Sequence, residues 1–345
     1  MGREIQEFFK IWLIVIISLC YCYAIKPLES TKKRLLLLLP VFFLFLYLPL
    51  NLTSPHLSGN TAFFVSWLAN FKLLLFAFHK GPLASSSHSL LLFIALSCLP
   101  IKLQENPPPE RSKEAPGPLN YTIKFLLLAL LVRVYDYIEL IHPKLLLVLY
   151  SFHVYFMCEL ILAIMASLAR NLLSLELEPQ FNEPYFATSL QDFWGRRWNL
   201  MVTSILRPVV YEPVVRLASD KLGRKWAPIP AVFATFVVSG LMHELMFFYL
   251  AERGHRVLPT WENTCFFLLH GACLALEIGV KKYARGRWRV PRVISSAATV
   301  GFVMVSAFWL FFPQFVRLRI DVRAFEDYAV IRSWFRDVVQ RGPRN

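Results

Sequence analysis

Residues 227–250 read APIPAVFATFVVSGLMHELMFFYL, an apolar run long enough to cross a bilayer as a single helix. His243 and Glu244 are the only imidazole and the only carboxylate in this run. Ionisable side chains are costly at bilayer depth, so their presence there marks a candidate functional site. The run therefore predicts a transmembrane helix that carries such a site.

The rest of the chain has the same apolar character. Its 345 residues are 56% hydrophobic and only 17% charged, whereas soluble domains carry about 25% charged residues. Further apolar segments cover about 9–25, 35–52, 61–78, 89–101, 121–141, 144–168, 261–280 and 293–312. Most reach the roughly 17–25 residues that a membrane helix needs, while 89–101 is short enough to be re-entrant. We expect an all-α, polytopic integral membrane protein with about eight transmembrane helices.

Two polar stretches interrupt the apolar runs of what we predict to be a single membrane domain, residues 1–345. Residues 102–119 contain three consecutive prolines and alternating charges, which is typical of a flexible linker. Residues 171–226 mix aromatic side chains with arginines. This second stretch predicts amphipathic segments that lie on the cytoplasmic membrane surface.

The loops indicate the orientation of the helices. Residues 26–34 contain four basic side chains and one acidic one, and residues 281–292 contain six basic side chains and no acidic one. Both loops are therefore predicted to be cytoplasmic. Residues 51–60 contain neither Lys nor Arg and begin with the glycosylation sequon Asn51-Leu52-Thr53, so we expect them in the lumen.

The composition also limits the partners. Lys and Arg outnumber Asp and Glu by 37 to 23, and the net charge of +14 indicates contact with membrane lipids or an anionic ligand. No nucleic-acid-binding module accompanies this charge, so no nucleic-acid partner is expected. Nearly all of the six cysteines fall within apolar runs, which is typical of core residues and not of disulfides or a metal site. The N-terminus lacks a signal-peptide cleavage site, and we expect it to remain as the first membrane helix.

His243 is the leading catalytic candidate. An imidazole inside the membrane is readily neutral, and a neutral imidazole accepts the proton of an alcohol. The alternative is a histidine that only hydrogen-bonds between helices. Glu244 points elsewhere on a helix and is expected to be a structural partner, and Phe247 occupies the position where a zinc-protease motif requires a second histidine.

A second candidate region is the block DFWGRRWN at residues 192–199. If it is helical, a spacing of four residues places Trp194 over Trp198 and Asp192 near Arg196. Tryptophan and arginine together are typical of an interfacial anchor. In the functional alternative, Arg196 and Arg197 bind an anionic group such as a coenzyme A phosphate. Asn199 then offers its amide to a carbonyl deeper in the membrane.

Other polar groups fall within apolar segments. His270 and Glu277 lie two turns apart on one helix face and, with Glu244, are candidates for lining a cavity. Arg133 and Asp136 are three residues apart and are expected to neutralise each other. The sequence shows no phosphate-binding glycine loop, no serine nucleophile elbow and no cysteine with an evident base.

These motifs resemble those of the plant wax synthase family, within the membrane-bound O-acyltransferase superfamily. The resemblance rests on residues 67–78 (WLANFKLLLFAF), 99–102 (LPIK), 177–182 (LEPQFN), 189–199 (SLQDFWGRRWN) and 242–245 (MHEL). It extends over nearly the whole chain and is most specific between residues 177 and 249. The pair of functional residues in that superfamily corresponds to Asn199 and His243.

The resemblance implies transfer of a fatty acyl group from acyl-CoA to a lipophilic alcohol at the endoplasmic reticulum membrane. It also implies an internal tunnel open to the cytoplasm, with acyl-CoA as a substrate and no metal or bound cofactor. Members of the family esterify long-chain fatty alcohols to wax esters or sterols to steryl esters. The run at residues 175–182 does not separate these two activities. We take fatty alcohol as the expected acceptor and sterol as the alternative.

A different class of protein also fits some of the polar residues. In a transporter or channel, His243, Glu244, His270 and Glu277 would form a proton or ion path. Such proteins often show repeated halves or paired broken helices. The chain shows neither feature. A third alternative, an inactive lipid-binding relative, is disfavoured because Asn199 and His243 are both present.

Overall fold

The structure, a computed structural model, describes residues 2–103, 117–252, 258–284 and 290–340. Within these residues the regular secondary structure is helical, apart from one isolated β-bridge. The helices in chain order are α1 (Gly2–Ala24), α2 (Thr31–Tyr47), α3 (Pro55–Thr61), α4 (Asn70–Ala77), α5 (Leu90–Cys98), α6 (Pro118–Val134), α7 (Pro143–Leu173), α8 (Leu190–Arg196), α9 (Leu200–Leu206), α10 (Glu212–Trp226), α11 (Pro228–Leu250), α12 (Glu262–Ala284), α13 (Arg292–Leu310), α14 (Phe312–Arg317) and α15 (Ile320–Gln340). This confirms the predicted all-α fold.

Seven helical segments of the described chain are long and apolar enough to cross a membrane. They correspond to α1, α2 with the 3₁₀ turn after it, α3 with α4, α7, α11, α12, and α13 with α14. Helix α6 is apolar as well, and its 17 residues are at the lower limit for a span. The expectation of about eight transmembrane helices agrees with this arrangement, and the protein is a multi-pass membrane protein.

The short apolar segment 89–101 does not form a spanning helix. Its helix α5 has nine residues, which at 1.5 Å per residue is roughly 13 Å against a hydrocarbon core of about 30 Å. The buried ammonium group of Lys72 donates to the carbonyl oxygens of Leu96 at 2.6 Å and Leu99 at 2.7 Å. The last carbonyls of a helix lack partners within it, so Lys72 closes the end of α5 inside the protein.

The two polar stretches differ in what the structure describes. Residues 104–116, the centre of the predicted linker, lie outside the described residues. Lys102, at its start, is paired with Glu178 at 2.7 Å. The stretch 171–226 contains α8, α9 and α10, and α10 is amphipathic with no buried residue. An exposed amphipathic helix beside the spans is consistent with the predicted interfacial position.

Contacts between loops place several chain segments on one face of the helix bundle. Glu4, in the first turn of α1, accepts hydrogen bonds from the backbone of Thr53 at 2.5 Å and Ser54 at 2.6 Å, and also binds the hydroxyl of Thr53. Arg323 of α15 donates to the carbonyls of Leu250 and Thr53. The start of α1, the start of α3, the end of α11 and helix α15 therefore share a face. The basic turn after α1 lies at the other end of that helix.

Helices α11 and α12 pack closely, and two glycines permit the approach. A Cβ atom on Gly240 would lie 3.0 Å from the Cα of Thr264, and one on Gly271 would lie 2.9 Å from the Cβ of Phe236. At Gly271 the neighbouring helix would have to shift to admit the added atom, and at Gly240 the backbone of Thr264 would have to move by a few tenths of an ångström. Both glycines therefore favour the observed close packing. The close pairing brings Phe267 of α12 against His243 of α11.

Candidate active site

The imidazole of His243 has one nitrogen bound and one free. Its Nδ1 lies 2.7 Å from the carbonyl oxygen of Ser239, one turn earlier in α11. A carbonyl only accepts, so Nδ1 carries the proton and the neutral ring has its lone pair on Nε2. No hydrogen bond reaches Nε2 from the residues that the structure describes. The partly buried ring is therefore oriented as a base with an unused acceptor atom.

Aromatic rings form the walls around His243. The ring of Trp67 meets it edge-on with centroids 5.2 Å apart, and those of Phe267 and Phe311 lie at 4.3 Å and 6.1 Å. Trp67 belongs to a π-helical segment, Ala62–Ala69, between α3 and α4. Such π-helical turns are frequent at functional sites. The sequence analysis assigned none of these three rings to the site, although Trp67 opens one of the quoted motifs.

The imidazole of His270 is held by its neighbours on both sides. It is fully buried, Trp194 Nε1 donates to its Nδ1 at 3.1 Å, and its Nε2 lies 2.8 Å from the hydroxyl of Ser306. Since Nδ1 accepts, Nε2 donates to Ser306, which in turn donates to the carbonyl of Phe302 at 2.7 Å. Both nitrogens are therefore engaged. The role that the geometry gives His270 is to hold the indole of Trp194.

The carboxylate of Glu277 is engaged by the protein in a similar way. Its carboxylate accepts from the backbone N–H of Leu190 at 2.8 Å and of Gln191 at 3.3 Å, and it is paired with Lys281 at 2.6 Å. Those N–H groups belong to the first turn of α8, where donors lack partners within the helix. Glu277 therefore anchors α8 to α12.

Glu244 lines a cavity. The cavity is small and is bounded by Glu244, Phe247, Phe248, Ala251, Pro259, Gln314 and Leu318. The carboxylate is buried, and its Oε1 accepts from the backbone N–H of Thr264 at 3.0 Å. As expected, Glu244 points away from His243, and it binds α11 to α12.

The block at residues 192–199 is only partly helical, and its ion pair differs from the predicted one while the two tryptophans do meet. Helix α8 ends at Arg196, and Asp192 pairs with Arg197 at 2.7 Å and not with Arg196. Trp198 lies beyond the helix and stacks on Phe193, with centroids 5.4 Å apart and planes 16° apart. It meets Trp194 edge-on at 6.4 Å. A spacing of four residues aligns side chains only while the helix continues.

The two arginines of this block have different surroundings. Arg197 donates from Nε to Asp192 and from NH1 to the carbonyls of Asn182 and Glu183, each at 3.1 Å. It therefore holds the loop before α8 and is largely engaged by the protein itself. Arg196 is exposed and has no ion pair or hydrogen bond through its side chain within the described residues. Only Arg196 presents a guanidinium group that is free to bind an anion.

Asn199 has a structural task in addition to its predicted role. Its backbone is left-handed, with φ of 38°, which asparagine tolerates better than most residues. Its side-chain oxygen accepts from the N–H of Val202 at 3.3 Å and caps α9. This contact leaves the amide nitrogen as the group available to a ligand. No hydrogen bond or ring contact joins Asn199 directly to His243 in the described part of the chain.

The two candidate regions nevertheless meet in one cluster. The ring of Trp194 lies 5.9 Å from that of Phe267, which contacts His243. The hydroxyl of Thr203 in α9 donates to the carbonyl of Trp194 at 3.2 Å. Among the described residues, no group of three or more His, Cys, Asp or Glu side chains is placed to hold a metal ion. The fold and the cluster define a multi-pass membrane protein with a candidate proton acceptor inside its helices.

Comparison with known proteins identifies the family. Residues 177–269 match the membrane bound O-acyl transferase family. The chain is 51% identical to an acyl-CoA–sterol O-acyltransferase of Arabidopsis thaliana, over 95% of this chain and 96% of the relative. It is 47% identical to a long-chain-alcohol O-fatty-acyltransferase of Simmondsia chinensis, over 96% of both chains. The chain belongs to the membrane bound O-acyl transferase family, as the resemblance of its motifs predicted.

Proposed function

We propose that the protein transfers a fatty acyl group from acyl-CoA to a long-chain fatty alcohol and forms a wax ester, at the endoplasmic reticulum membrane. The observation that carries this proposal is the free Nε2 of His243 among aromatic walls. A neutral imidazole in such a setting is suited to accept the proton of a hydroxyl group. The similarity to a long-chain-alcohol O-fatty-acyltransferase over nearly the whole chain supports the same reaction.

The proposed reaction is a direct transfer. Nε2 of His243 takes the hydroxyl proton while the alcohol oxygen attacks the thioester carbonyl. The C–S bond then breaks, and the sulfur of CoA leaves and receives the proton from the imidazolium. The amide nitrogen of Asn199 is proposed to donate to the carbonyl oxygen as negative charge develops on it. The hydrogen bond from Nδ1 to Ser239 holds the ring throughout and stabilises its protonated form.

The donor is proposed to enter from the cytoplasmic side, through a tunnel between the helices. Arg196 is placed to bind a phosphate of CoA, because it is exposed and lies beside the aromatic cluster of Trp194 and Trp198. Asp192 and Arg197 contribute indirectly, because their ion pair and the carbonyl contacts of Arg197 fix the loop that carries this cluster. The alcohol is proposed to arrive from the bilayer.

Sterol is the second candidate acceptor. The 51% identity to an acyl-CoA–sterol O-acyltransferase favours it, and both acceptors present one hydroxyl group on an apolar body. The transporter alternative has less support. A proton path through His270 and Glu277 would need free groups, but the protein itself engages both nitrogens of His270 and both carboxylate oxygens of Glu277.

Esterification by microsomes tests the proposal. Membranes containing the protein receive labelled acyl-CoA with either hexadecanol or a plant sterol, and the two ester products are separated and counted. Membranes without the protein give the background. We expect wax ester well above that background and in excess of steryl ester. A product that is mainly steryl ester would establish the second candidate. If neither ester is formed above background, acyl transfer to lipid alcohols is contradicted.

A further inference from the structure

A second polar cavity lies between α7 and the C-terminal helices, apart from His243. It is narrow and half-open, with room for about one water-sized group, and its lining residues are Tyr150, His153, Val154, Phe315, Asp321, Ala324 and Phe325. Three of these side chains are polar and four are apolar. Val316 and Val322, neighbours of the lining residues in the sequence, are exposed on the apolar outer surface. The cavity thus combines a polar floor with walls suited to hydrocarbon.

Two polar atoms of this cavity have no partner among the described residues. One is Oδ1 of Asp321 and the other is Nδ1 of His153, and both are buried. The second oxygen of Asp321 accepts from the hydroxyl of Tyr150 at 2.8 Å. Asp321 is 9% exposed, so its free oxygen has little access to bulk water. A buried acceptor without a donor is unfavourable, which favours a ligand that supplies a donor.

A hydrogen-bond chain reaches the other side of His153. Asp327 binds Nδ1 of His56 at 2.8 Å, Nε2 of His56 lies 3.0 Å from the hydroxyl of Tyr328, and that hydroxyl lies 3.1 Å from Nε2 of His153. Burial raises the pKa of Asp327, but the hydrogen bonds from His56 and Ser54 outweigh it and lower the pKa below its usual value. The Asp327 carboxylate therefore anchors one end of this hydrogen-bond chain, and His153 lies at the other end.

This hydrogen-bond chain engages one ring nitrogen of His153, because its Nε2 meets the hydroxyl of Tyr328. The other nitrogen, Nδ1, and the acceptor Oδ1 of Asp321 are the two unpartnered polar atoms of the cavity lining within the described residues. A hydroxyl group suits such a pair, since it can donate to the carboxylate and accept from an N–H group.

Aromatic contacts connect this cavity to the candidate active site. The ring of Phe311 lies 6.1 Å from His243 and 5.7 Å from Phe312, and Phe312 lies 6.4 Å from Tyr150. Two phenylalanines therefore separate the proposed base from the cavity floor. A continuous series of ring contacts thus runs from the proposed base to the cavity lining.

We propose that the cavity binds the hydroxyl group of a lipid alcohol, between His153 and Asp321, before the alcohol reaches His243. Only the hydroxyl group enters the cavity, and the apolar body of the alcohol extends out through its open mouth, past Phe315 and Phe325. This inference rests on the proposed function, since it assigns the site where the acceptor waits. Its ligand class is a long-chain primary alcohol or a sterol, both of which offer the same single hydroxyl group.

Photo-crosslinking in the His243→Ala variant tests the site without turnover. Membranes containing this variant are illuminated with a long-chain alcohol that carries a diazirine near its hydroxyl group, and the labelled peptides are identified by mass spectrometry. We expect labelling at the lining residues of α7 and α14–α15. Hexadecanol or a sterol should compete for the site, and hexadecyl methyl ether, which lacks the donor, should compete poorly.

Two pairs of variants separate the cavity from its surroundings. Ala324→Leu fills the cavity, and Asp321→Asn replaces the free acceptor by a donor while an oxygen remains for Tyr150. Each should lower the labelling at least fivefold. The matched controls Ala329→Leu and Glu326→Gln alter exposed positions of the same helix and should label as the parent does.

The outcomes divide clearly. If only residues outside the cavity are labelled, or if neither variant changes the labelling, the proposed site is contradicted. The cavity would then be one that holds an ordered water molecule. If ester synthesis by the parent chain is absent but the cavity is labelled as expected, the proposed function fails and the alcohol site remains. If ester is formed and the cavity is not labelled, the proposed alcohol site is contradicted while the proposed acyl transfer stands.

Discussion

His243 is oriented by its own helix and not by a second side chain. The carbonyl of Ser239 lies one turn before it and fixes which nitrogen carries the proton. The ring is then confined by Trp67 and Phe267, which approach from two other helical segments. A base held in this way needs no carboxylate partner. The adjacent Glu244 is thereby left to bind α12.

The contrast between Arg196 and Arg197 gives a prediction at the residue scale. Arg196→Gln should raise the KM for acyl-CoA about tenfold and leave the KM for the alcohol unchanged, because a charge-assisted contact contributes about 1.5–3 kcal/mol. Arg197→Gln should instead lower the melting temperature of the purified protein, because Asp192 and two carbonyls lose their donor. Initial rates with donor and acceptor varied in turn, together with thermal unfolding in detergent, measure both effects. A normal donor KM in Arg196→Gln would remove this arginine from the CoA site.

At the scale of helices, the pairing of α11 with α12 decides the shape of the site. It places Phe267 against His243, joins Glu244 to the backbone of Thr264, and places His270 where it holds Trp194. The site therefore depends on the distance between these two helices. Gly240 sets that distance at the level of His243.

Gly240→Ala should impair catalysis although it adds a single methyl group. Its Cβ would lie 3.0 Å from the Cα of Thr264, and overpacking of this kind costs about 1–3 kcal/mol. The matched control is Gly279→Ala in α12, where no atom lies within 4 Å of the added Cβ. Ester formation and melting temperature should both fall for the first variant and stay near the parent's values for the second. Equal behaviour of the two variants would show that close packing at Gly240 does not matter.

The sequence predicted most reliably those features that depend on a single helical segment. The lengths of the apolar runs predicted the spans, and the depth of His243 in residues 227–250 predicted the candidate base. The partners of His270 and Glu277, Ser306 and the backbone of Leu190, come from other helices and were not predicted. Such partners follow from helix packing, which periodicity within one segment does not encode. The ion pair of Asp192 with Arg197 was missed as well, because α8 ends at Arg196.

At the scale of the whole molecule, the two ends of the described chain meet on one face. Glu4 near the N-terminus binds Thr53 and Ser54, and Asp327 in α15 binds Ser54 and His56. The low basic content of residues 51–60 predicts that this face is lumenal. Helix α15 should therefore lie on the lumenal side as well, opposite the turn that follows α4.

Cysteine accessibility tests this orientation. A cysteine at Ser333 of α15 should resist an impermeant thiol reagent in sealed microsomes, and one at Ser86, in the turn between α4 and α5, should react. Both positions are exposed, so the membrane barrier decides the result. The parent chain gives the background of the native cysteines, and detergent should make Ser333 reactive. If only the cysteine at position 333 is labelled in sealed vesicles, the orientation of the protein is the reverse of the predicted one.

The central claim is that His243 is the general base, and one rate comparison tests it most directly. Ester formation is measured at saturating acyl-CoA and alcohol for the parent, for His243→Ala, and for His79→Asn as a control. His79 is exposed and has a left-handed backbone that asparagine tolerates. We expect His243→Ala to lose on the order of 10²–10⁴ in rate, with normal membrane insertion, and His79→Asn to match the parent. Activity of His243→Ala above about a tenth of the parent's would contradict the claim.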